Sequence, residues 1–342
     1  LKNRHIVTFV GGFRQGSKSC LLFRWADGGN LRSYWSDENN WSRNGDLISW
    51  TIEQISGLFT ALDEWHNKPS FTMSNGRHGD LKPENILRSL GPPRGIFQIA
   101  DLGLAKVHLL PTAARNNPSS TPGGTLRYRP PEVDRLSDDN RIFSRSYDMW
   151  GMGCIILEWI IWLVYGTGGL DTFDRQAFPE EFDAFWSRKD GSRSINPDVL
   201  AWMKHMDNTC LVDGEQCYSA ALRGLLLFVR DELLVQDSAA EQDPTDTYRE
   251  PNGDDQLPLL SITPASDSRL LSCTSKRAKS ADACTKLQEI LSNQSHSPHY
   301  MFNPKVNMNG SNGRGPSAVG GLLTPFTKPN SRQEVKAPLG NR

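Results

Sequence analysis

The stretch His78-Gly79-Asp80-Leu81-Lys82-Pro83-Glu84-Asn85-Ile86-Leu87 decides how this chain is read. It lies between two apolar segments and is dense in side chains that can do chemistry. Asp80 can accept a proton or orient a hydroxyl. Lys82 can set a positive charge beside a transferring group, and Asn85 can offer an amide oxygen to a divalent ion. Asp101-Leu102-Gly103 follows a second apolar run, Gly95 to Ala100. A carboxylate and an amide oxygen on neighbouring loops suit Mg²⁺ carried by a triphosphate. Phosphoryl transfer asks for that set: positioning, charge neutralisation and one residue for the attacking hydroxyl.

Further strings lie downstream in the order Gly124-Thr125-Leu126-Arg127-Tyr128-Arg129-Pro130-Pro131-Glu132 and Asp148-Met149-Trp150-Gly151-Met152-Gly153. Taken with HGDLKPEN and DLG, they resemble the H-R-D-L-K-x-x-N, D-F-G, G-T-x-x-Y-x-P-P-E and D-x-W-x-x-G series of eukaryotic-type protein kinases. The chain is most similar to the Ser/Thr kinase-domain proteins that fungi carry in large numbers. The resemblance covers roughly residues 1 to 290. It implies an α+β, protein-kinase-like fold, here expected to be mostly the helical C-terminal lobe with a remnant of the small β lobe. No Gly-rich phosphate loop, strand Lys or helix Glu of the family pattern can be matched, and the sequence begins Leu1-Lys2-Asn3. The reading is therefore of an N-terminally truncated domain.

The resemblance assigns roles residue by residue. Asp80 would orient the acceptor hydroxyl and take its proton late. Lys82 would screen the γ-phosphate, and Thr125 would bridge Asp80 and Lys82 through its hydroxyl, a pattern suited to Ser/Thr substrates. Asn85 and Asp101 would bind Mg²⁺. Phe23 would stand as gatekeeper beside the adenine pocket, with Arg24, Trp25 and Ala26 on the hinge and Leu87 also against the nucleotide. The implied cofactors are ATP and Mg²⁺; the implied partner is a protein substrate with a Ser or Thr acceptor. His78 reads as scaffold, Asp148 as a clamp on the catalytic-loop backbone. Glu132 would pair with a distant Arg: Arg277 first, with Arg230 and Arg249 as rivals. Gly79 stands where the family has Arg, so activity should not depend on phosphorylation of the loop that follows Asp101. Thr112, Ser119, Ser120 and Thr121 are candidate phosphosites in that loop.

Other readings stay open. Without the upstream nucleotide clamp the chain could be a pseudokinase or interaction module. His-Gly-Asp is also similar to aminoglycoside-type small-molecule phosphotransferases, although Lys82-Pro83-Glu84 and the peptide-positioning segment are of the protein-kinase kind.

Composition bounds the rest. The chain has 342 residues, 37% hydrophobic, with a formal net charge of −1. Mean hydropathy is −0.51. No global field draws it to nucleic acid or an anionic membrane, so neither partner is expected. The six cysteines form no C-x-x-C pair, which argues against structural zinc. Reduced thiols and a cytoplasmic or nuclear setting are expected, although Cys210 and Cys217 could pair.

Periodicity places the elements. Ile6 to Phe13 and Cys20 to Trp25 read as antiparallel strands about a Gln15-Gly16-Ser17 turn. Leu31, Tyr34 and Trp35 form the apolar face of a short helix. Ile48, Ile52, Ile55, Phe59, Leu62 and Trp65 recur at three- and four-residue steps, as in a helix of the core. Cys154 to Tyr165 is apolar nearly all round with Glu158 inside it, too short and too costly for a membrane span and fit for a buried central helix. Helices are also expected from Asn196 to Met206, Ala220 to Leu234 and Ser280 to Ile290. The expected organisation is small-lobe remnant and hinge at 1–29 and C-terminal lobe at 30–290. A flexible insertion is expected at 236–276 and a disordered tail at 291–342.

Overall fold

A computed structural model describes residues 3–67, 76–101, 106–107, 125–133, 145–179, 183–189, 192–209, 211, 218–236, 277–297 and 299–306. Strand β1 (Phe9–Gln15) turns at Gly16 into β2 (Lys18–Phe23), and the two pair antiparallel. Helices α1 (Leu31–Ser36) and α2 (Gly45–Asn67) follow. Asn30 caps α1 by accepting from the Ser33 N–H, while the Ser33 hydroxyl accepts from the Asn30 N–H. Then come β3 (Gly76–Arg77), β4 (Ile86–Ser89), β5 (Ile96–Ile99) and β6 (Lys106–Val107). β3 pairs with β6 and β4 with β5, both antiparallel.

The helical part is built on α3 (Ser146–Ala177). The hairpin β7 (Trp186–Lys189)/β8 (Ser192–Ile195) leads to α4 (Pro197–Thr209) and α5 (Ala220–Phe228), which runs into a π turn, Val229–Leu233. Helix α6 (Ser280–Ser292) packs along α2.

The α+β class read from the sequence is the one observed, but the β part is more than a remnant. Strands β1–β4, with the partners that complete their sheets, make a small β lobe beside the helical one. Two short strands escaped the sequence pattern. Residues 76–77 are too few to show alternation, and β4 follows a polar catalytic loop without a turn signal.

The core is aromatic and centred on α3. Phe97 of β5 meets Trp159 edge-on at 5.2 Å and Tyr34 at 5.3 Å; Tyr34 lies 5.4 Å from Trp162. These rings tie α1, β5 and α3 together, and Trp50 of α2 joins them at 5.7 Å from Phe97. Along α3, Tyr147 to Val164 is buried without interruption. By length and hydropathy this helix could cross a membrane, yet 94% of its most apolar window is packed inside the protein. At Gly166 the helix kinks, with φ 74°.

Two differences concern the boundaries. The expected insertion at 236–276 and the end of the expected tail, 307–342, lie outside the described residues, apart from Gln236. Residues 299–306, expected to be tail, are folded. Met301 is buried, Tyr300 O accepts from Ala221 N–H at 3.1 Å, and Asn303 N–H donates to Tyr218 O at 2.9 Å. The apolar run Tyr300-Met301-Phe302 was passed over because the residues around it are rich in Ser, Asn, Pro and Gly; Phe302 packs on Tyr218 at 5.3 Å.

Candidate active site

The β4–β5 hairpin gathers the first group. Its register sets Ile86 opposite Ile99, so Asn85 and Ala100 meet just beyond, and the Ala100 N–H donates to Asn85 O at 2.9 Å. Asp101 is the next residue. It is exposed and holds a left-handed φ of 60°. Asp tolerates that conformation better than most non-Gly residues, at a cost that marks sites where backbone direction matters.

Asp80 is held on both carboxylate oxygens. Its Oδ1 accepts from the Thr125 N–H at 2.9 Å and the Thr125 hydroxyl at 3.3 Å. Its Oδ2 accepts from Asn85 Nδ2 at 3.1 Å and pairs with Lys82 Nζ at 3.0 Å. Lys82 Nζ also donates to Thr125 Oγ1 at 2.9 Å. Asn85 Nδ2 donates in addition to Asp80 O at 2.8 Å, which turns the amide nitrogen toward Asp80 and leaves the amide oxygen as the group it can offer a cation. Asp80, Lys82, Asn85 and Thr125 therefore form one bonded cluster, with Asp101 at its edge.

The backbone beneath the cluster is clamped by Asp148. From the first turn of α3, its Oδ2 accepts from the His78 N–H and its Oδ1 from the Gly79 N–H, each at 2.8 Å. His66, at the end of α2, donates from Nε2 to Oδ2 at 2.9 Å. Burial alone would raise the Asp148 carboxyl. The His66 hydrogen bond, the attraction of the His66 ring and the Gly79 N–H together hold it below the usual carboxylate range.

His78 has both ring nitrogens engaged. Nε2 donates to Ala100 O at 2.8 Å, and Nδ1 accepts from the Asp80 N–H at 3.2 Å. A carbonyl can only accept and an amide N–H only donate, so the ring is the neutral Nε2–H tautomer and a scaffold, not a base. Gly79 has φ 83°, a region costly for an L side chain, so the glycine suits its place. Close packing completes the support: a Cβ on Gly151 of α3 would lie 3.2 Å from Leu81 Cβ and 3.3 Å from its carbonyl oxygen.

The nucleotide-side candidates fall along one seam. Gly28 N–H donates to Arg88 O at 2.8 Å, Arg88 N–H donates to Gly29 O at 2.7 Å, and Asn30 bridges Leu87. This brings Leu87, half-buried, beside the segment that carries Arg24, Trp25 and Ala26. Phe23 pairs with Phe9 across the β1/β2 ribbon, and the Arg24 N–H donates to Thr8 O. Trp25 is 85% exposed, so it forms no pocket wall as it stands.

Two buried charge clusters lie in the helical part. Glu158, fully buried in α3, accepts from the Tyr128 hydroxyl at 3.0 and 3.1 Å and pairs with Arg32 at 3.2 Å and Arg127 at 3.6 Å. Burial pushes its carboxyl up, Arg32 pulls it down, and Asp174 pushes it up again; Arg127 and Tyr128 oppose the rise, and the result is about 7. The signal was one acid inside an apolar helix. Its partners, far off in sequence, could not be read. Arg277 is the partner of Glu132, at 2.6 Å, as expected; its guanidinium also donates to the carbonyls of Ser146 and Val235.

An open depression of about 550 Å³ adjoins the cluster, lined in part by Lys82, Asn85, Thr125, Arg127 and Asp174. Among the described residues no group of three or more His, Cys, Asp and Glu side chains forms a ready-made metal cage. One carboxylate and one amide oxygen still suit Mg²⁺, which is held by few protein ligands and completes its shell with phosphates and water. Leu102, Gly103, the candidate phosphosites and the Cys210–Cys217 pair lie outside the described residues. Cys20, Cys154 and Cys284 are free thiols.

Comparison with known proteins agrees with this geometry. Residues 1–167 match the family model described as the protein kinase domain. The chain is 30% identical over 172 residues to cyclin-dependent kinase 17 of Caenorhabditis elegans, which takes in 50% of this chain and 23% of that protein. The chain thus spans about a quarter of the length of this curated relative. The likeness to the protein kinase domain thus extends over residues 1–167. The match runs from the β-rich part into the helical part, through α3 to residue 167. That overturns the reading of a mainly C-terminal lobe with a remnant of the small one: a small β lobe and part of the helical lobe are matched together.

Proposed function

We propose that the chain transfers the γ-phosphoryl group of ATP, with Mg²⁺, to Ser or Thr hydroxyls of a protein. The observation that carries this reading is the bonded cluster Asp80–Lys82–Asn85–Thr125 with Asp101 beside it. Bound Mg²⁺-ATP would supply the phosphoryl group and neutralise part of its charge.

The chain's own residues do the rest. Asn85 and Asp101 would hold the metal through an amide oxygen and a carboxylate. Asp80 would orient the acceptor hydroxyl and take its proton as that oxygen bonds to the γ-phosphorus and the bond from phosphorus to the departing ADP oxygen breaks. Lys82 offsets the charge that develops on the transferring oxygens. Thr125 ties the substrate-side segment to the catalytic loop, and its short reach to Asp80 supports a Ser/Thr acceptor. The segment 24–26 and Leu87 would bind the adenine end.

The test is Mg²⁺-ATP-dependent phosphorylation of a Ser/Thr peptide library by the wild type and by Asp80→Asn. Activity should fall by roughly a hundredfold or more in the variant. Equal activity in both would remove Asp80 from the chemistry. Silence in both would leave the interaction-module reading standing instead.

A further inference from the structure

We propose that Arg127 is a positioning residue that holds Thr125 on the catalytic cluster; this rests on the kinase reading above. Thr125 is exposed, and its bonds to Asp80 and Lys82 are open to water. Exposed bonds of this kind contribute little on their own. The segment must be held from elsewhere, and the buried groups that follow Thr125 do so.

Arg127 lies two residues on, in the turn Leu126–Tyr128, with its side chain 17% exposed. Its Nη1 donates to Asp174 Oδ1 at 2.9 Å and its Nε to Asp183 Oδ1 at 2.5 Å. Its guanidinium lies 4.1 Å from the centre of the Phe178 ring. Its carbonyl accepts from the Phe185 N–H at 3.3 Å. One residue thus joins the Thr125 segment to the end of α3 and to the residues that lead into β7. Tyr128 anchors the same segment inward, on Glu158. Arg127 anchors it outward and sets the wall of the depression beside Lys82 and Thr125. A planar fork that reaches two carboxylates and stacks on a ring is a task Lys cannot fully perform.

The test uses the full chain with Arg127→Ala, Arg127→Lys and the double variant Asp174→Asn/Asp183→Asn. Two readouts are taken: amide hydrogen exchange of residues 125–129, and kcat and KM for peptide and for ATP. Arg127→Ala should speed exchange of the Thr125 amide and lower peptide kcat/KM by roughly tenfold to a hundredfold, with the KM for ATP unchanged. Arg127→Lys should fall between wild type and Ala. If Arg127→Ala does not fold, the double variant carries the test, because it strips the charge from the two outer partners and leaves Glu158 its arginines. Wild-type exchange at Thr125 together with wild-type peptide kcat/KM would overturn the proposal. An equal loss in peptide and ATP parameters would also overturn it, since that is general damage. A wild type silent in phosphoryl transfer, with Thr125 exchange still accelerated by Arg127→Ala, would sink the kinase reading and uphold the anchor.

Discussion

Asp148→Asn removes one charge and rearranges three hydrogen bonds under the catalytic loop. In its better orientation the new amide keeps its oxygen at Oδ2, facing the His66 Nε2–H and the His78 N–H. Its NH₂ then meets the Gly79 N–H, donor against donor, where Oδ1 had accepted at 2.8 Å. The lost charge-assisted bond is worth about 2 kcal/mol, and the stranded buried N–H costs about 1 kcal/mol more. The two surviving bonds weaken from charged to neutral, another ~1 kcal/mol together. The expected destabilisation is about 4 kcal/mol at neutral pH. Urea unfolding of wild type and variant measures it, and accelerated exchange of the Gly79 amide locates it. The sign with pH is fixed by the lowered carboxyl. Its stabilising effect is present above the unfolded value, about 4, and is lost as pH falls through the lower folded value. The gap between the two proteins should therefore narrow in strong acid. A difference under about 1 kcal/mol at neutral pH, or a Gly79 amide that exchanges as in wild type, would refute the clamp.

Glu158 predicts the opposite slope. Its folded carboxyl, raised to about 7, binds a proton that the unfolded chain has already lost, so wild-type stability should fall by about 3 kcal/mol as pH rises from about 4.5 to 7. Glu158→Gln should lack that component, and a wild-type-minus-variant difference flat across the window would contradict it. Arg277→Ala should cost about 3–5 kcal/mol and Glu132→Ala less. Arg277 keeps carbonyl partners at Ser146 and Val235 when Glu132 is removed, whereas Glu132 loses the guanidinium that neutralises it. Thermal or chemical melts of both single variants decide the order, and the reverse order would count against the assignment.

What the sequence made legible was local. HGDLKPEN carries its chemistry within eight contiguous positions, and the hairpin that follows sets Asn85 beside Ala100 by register alone. The helices of the core were legible too, because Ile48, Ile52, Ile55 and Phe59 repeat at helical steps and all are buried. The Arg32–Glu158–Arg127 cluster was not, since Arg32 and Glu158 stand 126 positions apart and no short-range pattern joins them. The extent of the β lobe was missed for a different reason. β1 and β2 were read as strands, but β3 is only two residues long and β4 follows a polar loop without a turn signal, so neither shows an alternation of its own. Nothing in the sequence set His66 apart; only its 2.9 Å bond to Asp148 gives it a part in the site.

Helix α3 meets the site at several heights. Asp148 in its first turn takes the catalytic-loop amides, Glu158 takes Tyr128 and Arg32, and Asp174 near its end takes Arg127. Positions 148 and 158 are about 15 Å apart along the axis at 1.5 Å per residue. The helix is thus a ruler on which the spacing between the loop that carries Asp80 and the segment that carries Thr125 is marked. Side chains along it can be exchanged for others of like volume, but its length cannot change. One residue inserted between Asp148 and Glu158 would turn every later mark by about 100° and lift it by about 1.5 Å, taking Glu158 away from Tyr128 while the loop stayed on Asp148. Homologous chains should therefore vary freely in the segments either side of this helix and keep the count of residues within it.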